Sequence, residues 1–183
     1  MVVRWELAAD ADLVHKLLLQ SDQQHARATR TRAPTRSEAS TASHVAAGYV
    51  RLQMSGDEIL GMFTLSRIPT FDPSRSVLPD ALDPMYLQRL VVVTNPVTTA
   101  DPLVGLRCVR RAIDEAAASG ADALRSEANP DLSRSYSLLL ACGLNPFGQV
   151  DERSDGLRIV RLHMDLRSCR SLISPVSTPS LDG

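Results

Sequence analysis

From Tyr86 to Val93 the chain reads Tyr-Leu-Gln-Arg-Leu-Val-Val-Val, and this run constrains the fold more than any other. A continuous apolar strand of this kind is buried on both faces, the habit of strands inside α/β sheets. A connector from Thr94 to Asp101 follows, and a helical segment opens near Gly105. Leu106, Val109, Ile113, Ala116 and Ala117 recur at helical spacing over the stretch from Pro102 to Ser119. Pro102 suits a first helical turn and Gly120 a helix stop. Ala123 to Ala128 then forms a short strand, so the unit is strand, helix, strand, and part of the sheet is expected to be parallel. N–H groups in a first helical turn lack internal partners and can hold an anion. The layout therefore suits a nucleotide phosphate.

The flanking segments fill out one domain. Val2 to Leu7 alternates through Val3, Trp5 and Leu7 as a first strand. A helix starts in the stretch from Ala8 to Asp12, with Asp10 or Asp12 able to cap it, and its stripe of Leu13, Leu17 and Leu18 runs toward Ala28. A basic, Pro-containing connector (Thr29 to Arg36) leads to a second helix over Ser37 to Ala47. Val50 to Met54 and Ile59 to Ser66 read as a hairpin joined through Ser55, Gly56 and Asp57. Four prolines make Ile68 to Pro84 a loop. Asn129, Pro130 and Asp131 turn the chain, cap a helix running to Cys142, and Gly143 ends it. A last hairpin spans Asn145 to Val150 and Leu157 to Leu166, and the Ser- and Pro-rich tail, 168–183, is expected to be disordered.

The order is β-α-α-β-β-β-α-β-α-β-β, an α/β (α+β) mixed sheet. At 183 residues the chain suits one domain with a real core. A net charge of −1 argues against a dedicated nucleic-acid surface, and no apolar run reaches bilayer thickness. The N-terminal residues lack a signal-peptide core. Cys108, Cys142 and Cys169 are widely spaced without metal-ligand spacing and read as reduced thiols of a cytoplasmic protein, so no metal is expected.

This order, and residues within it, resemble the GNAT superfamily of acyl-CoA-dependent N-acetyltransferases. Tyr86 to Val92 is similar to the family's fourth strand, Y-L-x-R-L-A-V. Gly105 to Ala112 resembles the start of the cofactor helix, and Asp114 to Ala121 its end. Ala123 to Asn129 resembles the fifth strand, Leu139 to Leu144 the Y-E-x-x-G-F close, and the stretch Gly56 to Leu65 the third strand, with its cofactor-side Gly. The resemblance covers residues 2–166. It implies a central mixed parallel and antiparallel sheet of about seven strands flanked by about four helices. The family's phosphate loop, Q/R-x-x-G-x-G/A, aligns with Ala100 to Gly105, where only the last Gly is kept; Leu103 stands for a Gly, Asp101 adds a negative charge and Pro102 removes a donor. Leu139 stands where many members have a Tyr that protonates the leaving thiolate.

The resemblance implies acetyl-CoA as cosubstrate and an amine of a small molecule or peptide as acceptor, and it is compatible with a homodimer. Backbone groups of Leu90, Val91 and Val92 would meet the thioester arm, and those of Asp101, Pro102, Leu103, Val104, Gly105 and Leu106 the pyrophosphate. Glu127, on the fifth strand, is the candidate base, with a salt-bridged strand-end carboxylate as the plainer reading. Gln88 could hydrogen-bond an acceptor. Tyr136, one turn before Leu139, is the candidate acid, with a packing tyrosine as its alternative. Arg89 is expected to alternate with Gln88 across the sheet and to pair with an acid. His25 and His44 flank the acceptor side as lone histidines. A non-catalytic GNAT-like binding or regulatory domain, or a cofactor-free binder on the same sheet, stays open alongside the enzyme.

Overall fold

The computed structural model describes residues 2–69, 71, 78–93, 101–154 and 156–167. Most of the 94–101 connector, the centre of the Pro-rich loop, Asp155, Cys169 and the tail expected to be disordered lie outside them. Within them the element order is β1 (Val3–Leu7), α1 (Ala11–Thr29), α2 (Glu38–Ala46), β2 (Val50–Ser55), β3 (Glu58–Ser66), β4 (Pro84–Val92), α3 (Val104–Ala118), β5 (Ala123–Ala128), α4 (Ser133–Ala141), β6 (Asn145–Glu152) and β7 (Arg158–Asp165). The strands form one seven-stranded sheet ordered β1-β2-β3-β4-β5-β7-β6, antiparallel except for the central β4–β5 pair. The expected series and the mixed sheet are both present.

Local chemistry accounts for the element ends. Asp10 caps α1 by accepting the Leu13 N–H at 2.9 Å, and Ser37 caps α2 through Ser40. Asp131, in contrast, does not cap α4: Leu132 stands at that position, and Asn129 instead accepts the Asp131 N–H at 2.8 Å as an Asx turn. Pro102 lies ahead of α3 rather than in its first turn, so Gly105 is the second helical residue.

The sheet separates two apolar layers. On one face Phe63, Leu65, Leu87, Leu124 and Leu162 pack under Cys108, Val109, Ala112 and Ala116 of α3 and Leu139 of α4. On the other, Val14 and Leu18 of α1 and Val45 of α2 cover Val50, Leu52, Met62 and Val91. At Gly61 the sheet and α3 approach closely. A Cβ there would lie 2.8 Å from Val104 Cγ1 and 2.9 Å from the Val91 carbonyl oxygen, so the glycine of the third-strand resemblance is sterically required.

β4 is not the uninterrupted strand its composition suggests. Met62 pairs with Val91 but Thr64 pairs with Gln88, so β4 holds one residue more than β3 over this interval. Arg89 takes φ 52°, and the extra residue makes a β-bulge. Leu87 packs on the α3 face, yet Val91, four residues on, packs on the α1 face, because the bulge inverts the alternation. Pairing with β5 runs only from Pro84–Ala123 to Leu87–Ser126. Beyond that point β4 and β5 part.

Candidate active site

The parting of β4 and β5 opens a cleft of about 190 Å³ on the sheet. Leu87 to Val91 form one wall and Ser126 and Glu127 the other, with Leu132, Ser135 and Leu139 of α4 closing one side. α1 contributes Leu18, Ser21, Asp22 and His25, positions three and four apart on one helical face, and Arg36 reaches in from the connector before α2. Among the residues expected from sequence, Gln88, Leu90, Val91 and Glu127 are brought together here.

Each polar group has a definable state. Gln88 Nε2 donates to the Ile68 carbonyl at 3.1 Å, which ties the strand to the Pro-rich loop and leaves its Oε1 as acceptor. Burial pushes the Glu127 carboxyl above the usual carboxylate range, against the opposing pull of Arg153 and Arg161, and Asp151 adds to the rise. The nearest guanidinium nitrogen, on Arg161, stands 3.9 Å away, and Arg161 is held more closely by Asp151 at 2.8 Å. Glu127 is thus a half-desolvated carboxylate with a loose ion pair, a state suited to taking a proton. Burial, reinforced by Arg36, lowers the His25 imidazole below its ordinary value, with Asp22 opposing, so that His25 is neutral at neutral pH. Asp22 and Arg36 make a bidentate pair through Arg36 Nε and, at 2.8 Å, Nη2.

Arg89 departs from its expected setting. The bulge sends its guanidinium to the α2 side, where Nη2 donates to Ser40 Oγ at 3.2 Å. Among the described residues no carboxylate pairs with it, and Nη1 is buried with no partner. Simple alternation would have sent this side chain to the opposite face. Tyr136 packs against the α3-side core and does not line the cleft, whereas Leu139, the position that often carries the Tyr, does.

The expected phosphate loop lies ahead of α3. Asp101 Oδ1 accepts the Leu103 N–H at 2.9 Å and Asp101 Oδ2 accepts from Arg107 Nη2 at 2.5 Å. The Val104 N–H reaches the Asp101 carbonyl at 3.3 Å. Gly105 and Leu106 N–H have no partner among the described residues. The hydrogen bond from Arg107 holds the Asp101 carboxyl below the usual carboxylate range, with the Leu103 amide next in weight. Asp101 therefore occupies, with its own carboxylate, donors of the kind a phosphate would use. Leu103 and Pro102 are exposed and Val104 and Gly105 buried. Val92 closes the cleft-ward end of β4, its Cγ2 3.4 Å from where a Gly105 Cβ would stand. The Arg107 N–H, in contrast to those of Gly105 and Leu106, is held by the Leu103 carbonyl at 2.9 Å.

Sequence reasoning placed His25 on the acceptor side and Arg36 only in a basic connector, and it missed Ser21, Asp22 and Ser135 as cleft residues. Ser21, Asp22 and His25 continue the Leu18 stripe of α1 in polar form, a signal that was present in the spacing. Among the described residues no group of His, Cys, Asp and Glu has the arrangement of a metal site, and no helix is long and apolar enough to cross a membrane.

No family model matches this sequence, and no curated protein matches it by sequence. Solved structures do. The yncA protein of Salmonella typhimurium, determined with its cofactor acetyl-CoA, aligns over 100% of both chains at 15% identity and a TM-score of 0.61. The ribosomal-protein-S18-alanine N-acetyltransferase of Escherichia coli aligns over 90% of this chain and 94% of its own, at 16% identity and 0.62. A GNAT-family acetyltransferase of Streptococcus agalactiae aligns over 89% and 95%, at 10% identity and 0.64. The sheet order, the parting of β4 from β5 and these alignments agree: the chain has the fold of the GNAT acetyltransferases.

Proposed function

We propose that the protein is an N-acetyltransferase, transferring the acetyl group of acetyl-CoA to an amine of a small molecule or peptide. The observation that carries this reading is the cleft where β4 and β5 part, with the Glu127 carboxylate on one wall, unpaired β4 backbone on the other and the start of α3 beyond it. Backbone groups of Leu90, Val91 and Val92 would run along the thioester arm, and the amides from Asp101 to Leu106, Gly105 and Leu106 foremost, would face the pyrophosphate. In the reaction the amine nitrogen bonds to the acyl carbon, the carbon–sulfur bond breaks, and coenzyme A leaves. Glu127, whose proton affinity burial raises, accepts the amine proton directly or through water. Gln88 Oε1 can orient the amine N–H. Tyr136 would serve as acid only by turning out of its core contact. The acetyl-transferring unit spans residues 1–167, works in the cytoplasm and requires no metal; a homodimer is compatible with it.

The test is calorimetric titration with acetyl-CoA followed by thiol release against a panel of amines. Binding with amine-dependent release is the expected result. Folded protein that binds no acetyl-CoA at millimolar concentration would overturn the reading and favour a binding domain on the same sheet.

A further inference from the structure

Two arginines, Arg36 and Arg89, line the cleft, and Arg125 and Arg161 lie on the neighbouring strands β5 and β7, each with a buried Nε that finds no hydrogen-bond partner among the described residues; the four differ in what else they contact. Arg36 is neutralised by its bidentate contact with Asp22. Arg161 is held by Asp151 at 2.8 Å. Arg125, on the same strand as Glu127, donates to the Pro79 carbonyl at 2.6 Å. Arg89 has only the Ser40 hydroxyl, at 3.2 Å, and a buried Nη1 without a partner among the described residues. Arg89 is half-buried, and a partly desolvated cation whose inner nitrogen has no partner is costly to keep. The backbone that presents it is also costly: φ of 52° is rare for a side chain that is not glycine, and such residues gather at functional sites. Burial, then the neighbouring Arg36, pulls the Arg89 guanidinium below its ordinary value, against the pull of Asp22. These are the signs of a group waiting for an anion.

We infer that the acceptor is an amine bearing a carboxylate on the same small molecule, that is, an amino acid, with Arg89 gripping the carboxylate while Glu127 takes the amine proton. The inference rests on the acetyl-transfer reading for the role of Glu127, and it adds the class of acceptor. Arg89 and Glu127 line the same cleft from opposite walls, so one short zwitterion can touch both. A guanidinium takes a carboxylate through two parallel hydrogen bonds; Nη1, unpaired and closed to solvent, becomes one of the donors when the side chain turns from Ser40 toward the cleft. Gln88, next to Arg89 on β4, lines the same cleft and can accept from the ammonium end through Oε1.

The test is a binding titration, with and without coenzyme A, using glycine, β-alanine, 4-aminobutyrate and glutamate, each against its amide. At least one carboxylate should bind tenfold or more tightly than its amide, the ratio expected when a charge-assisted hydrogen bond is lost. Arg89→Gln should abolish that preference and Arg89→Lys should restore part of it, with thermal melting confirming that both variants fold. Equal affinity for acid and amide, or no binding by any of them, overturns the inference. A preference for the carboxylate that survives in Arg89→Gln overturns the assignment to Arg89; should that variant not fold, the same comparison in the wild type and in Arg89→Lys decides. Carboxylate binding without thiol release from acetyl-CoA would leave the amino-acid site standing and remove acetyl transfer alone.

Discussion

At the scale of single residues, Glu127 shows how a site and a stability cost share one group. Its carboxyl lies above the usual range because the cleft desolvates it. The folded state therefore holds the proton more tightly than the unfolded chain does. Above the ordinary glutamate range the unfolded state releases its proton first, so stability falls as pH rises through the folded value. Glu127→Gln should accordingly melt at a higher temperature than the wild type at pH 7, and the difference should vanish below pH 4, where both states of the wild type are protonated. The same substitution should lower kcat about 10²- to 10⁴-fold and remove the acid limb of the kcat/KM profile, which in the wild type sits above that of an ordinary carboxylate. Thermal melts and pH–rate profiles read both effects. Glu127 was legible as a candidate because the family resemblance puts an acidic residue on the fifth strand; the enclosure that raises its proton affinity, by α1, α4 and β4, was not, since no local pattern encodes burial by distant elements.

At the scale of elements, most of the architecture was readable because periodicity and turn chemistry agree. The Asp10 cap, the Gly120 stop and the β5 run are local signals found where expected, and β1 is half-buried at Val3 and Trp5 as its alternation requires, although Leu7 at its end is exposed. The exceptions are instructive. Asp131 was a plausible cap by residue type, but the Asn129 side chain claims its backbone first. The bulge at Arg89 was hidden because neither it nor its neighbours are glycine, so composition carried no mark of a positive φ. At the start of α3 Leu103 stands for one expected glycine, and Asp101, two residues before it, brings an anion of its own. Removing that negative charge while keeping an acceptor, as in Asp101→Asn, should tighten coenzyme A binding by roughly two- to fivefold, the worth of one charge at a helix N-terminus. Calorimetry of wild type and variant checks this, and an unchanged or weaker Kd would show that Asp101 instead holds Arg107 in place for the ligand.

At the scale of the molecule, two apolar layers and one sheet meet at few points, and Gly61 is one of them. Strand β3, the Val91 carbonyl and Val104 of α3 converge there at distances that leave no room for a methyl group. Gly61→Ala must displace backbone rather than the tip of a flexible side chain. The expected loss is about 1–3 kcal/mol of folding stability, seen as a thermal midpoint lower by several degrees. Since the displaced groups adjoin both the end of β4 and the start of α3, acetyl-CoA affinity should weaken in parallel. A variant as stable as the wild type would mean that the layers can separate there at little cost. The sequence resemblance had picked out this glycine by its place in the third strand, while the reason for it is visible only once the helix is laid across the sheet.

The extra residue in β4 has a consequence for what this strand can tolerate. The residue to spare there is Arg89 itself. With it deleted, Leu87 and Val91 would stand three steps apart, and plain alternation would still leave the first under α3 and the second under α1. The hydrocarbon layers therefore do not require the insertion. What would vanish is the guanidinium beside Ser40, so the kink serves to present one side chain and not to keep the layers in step.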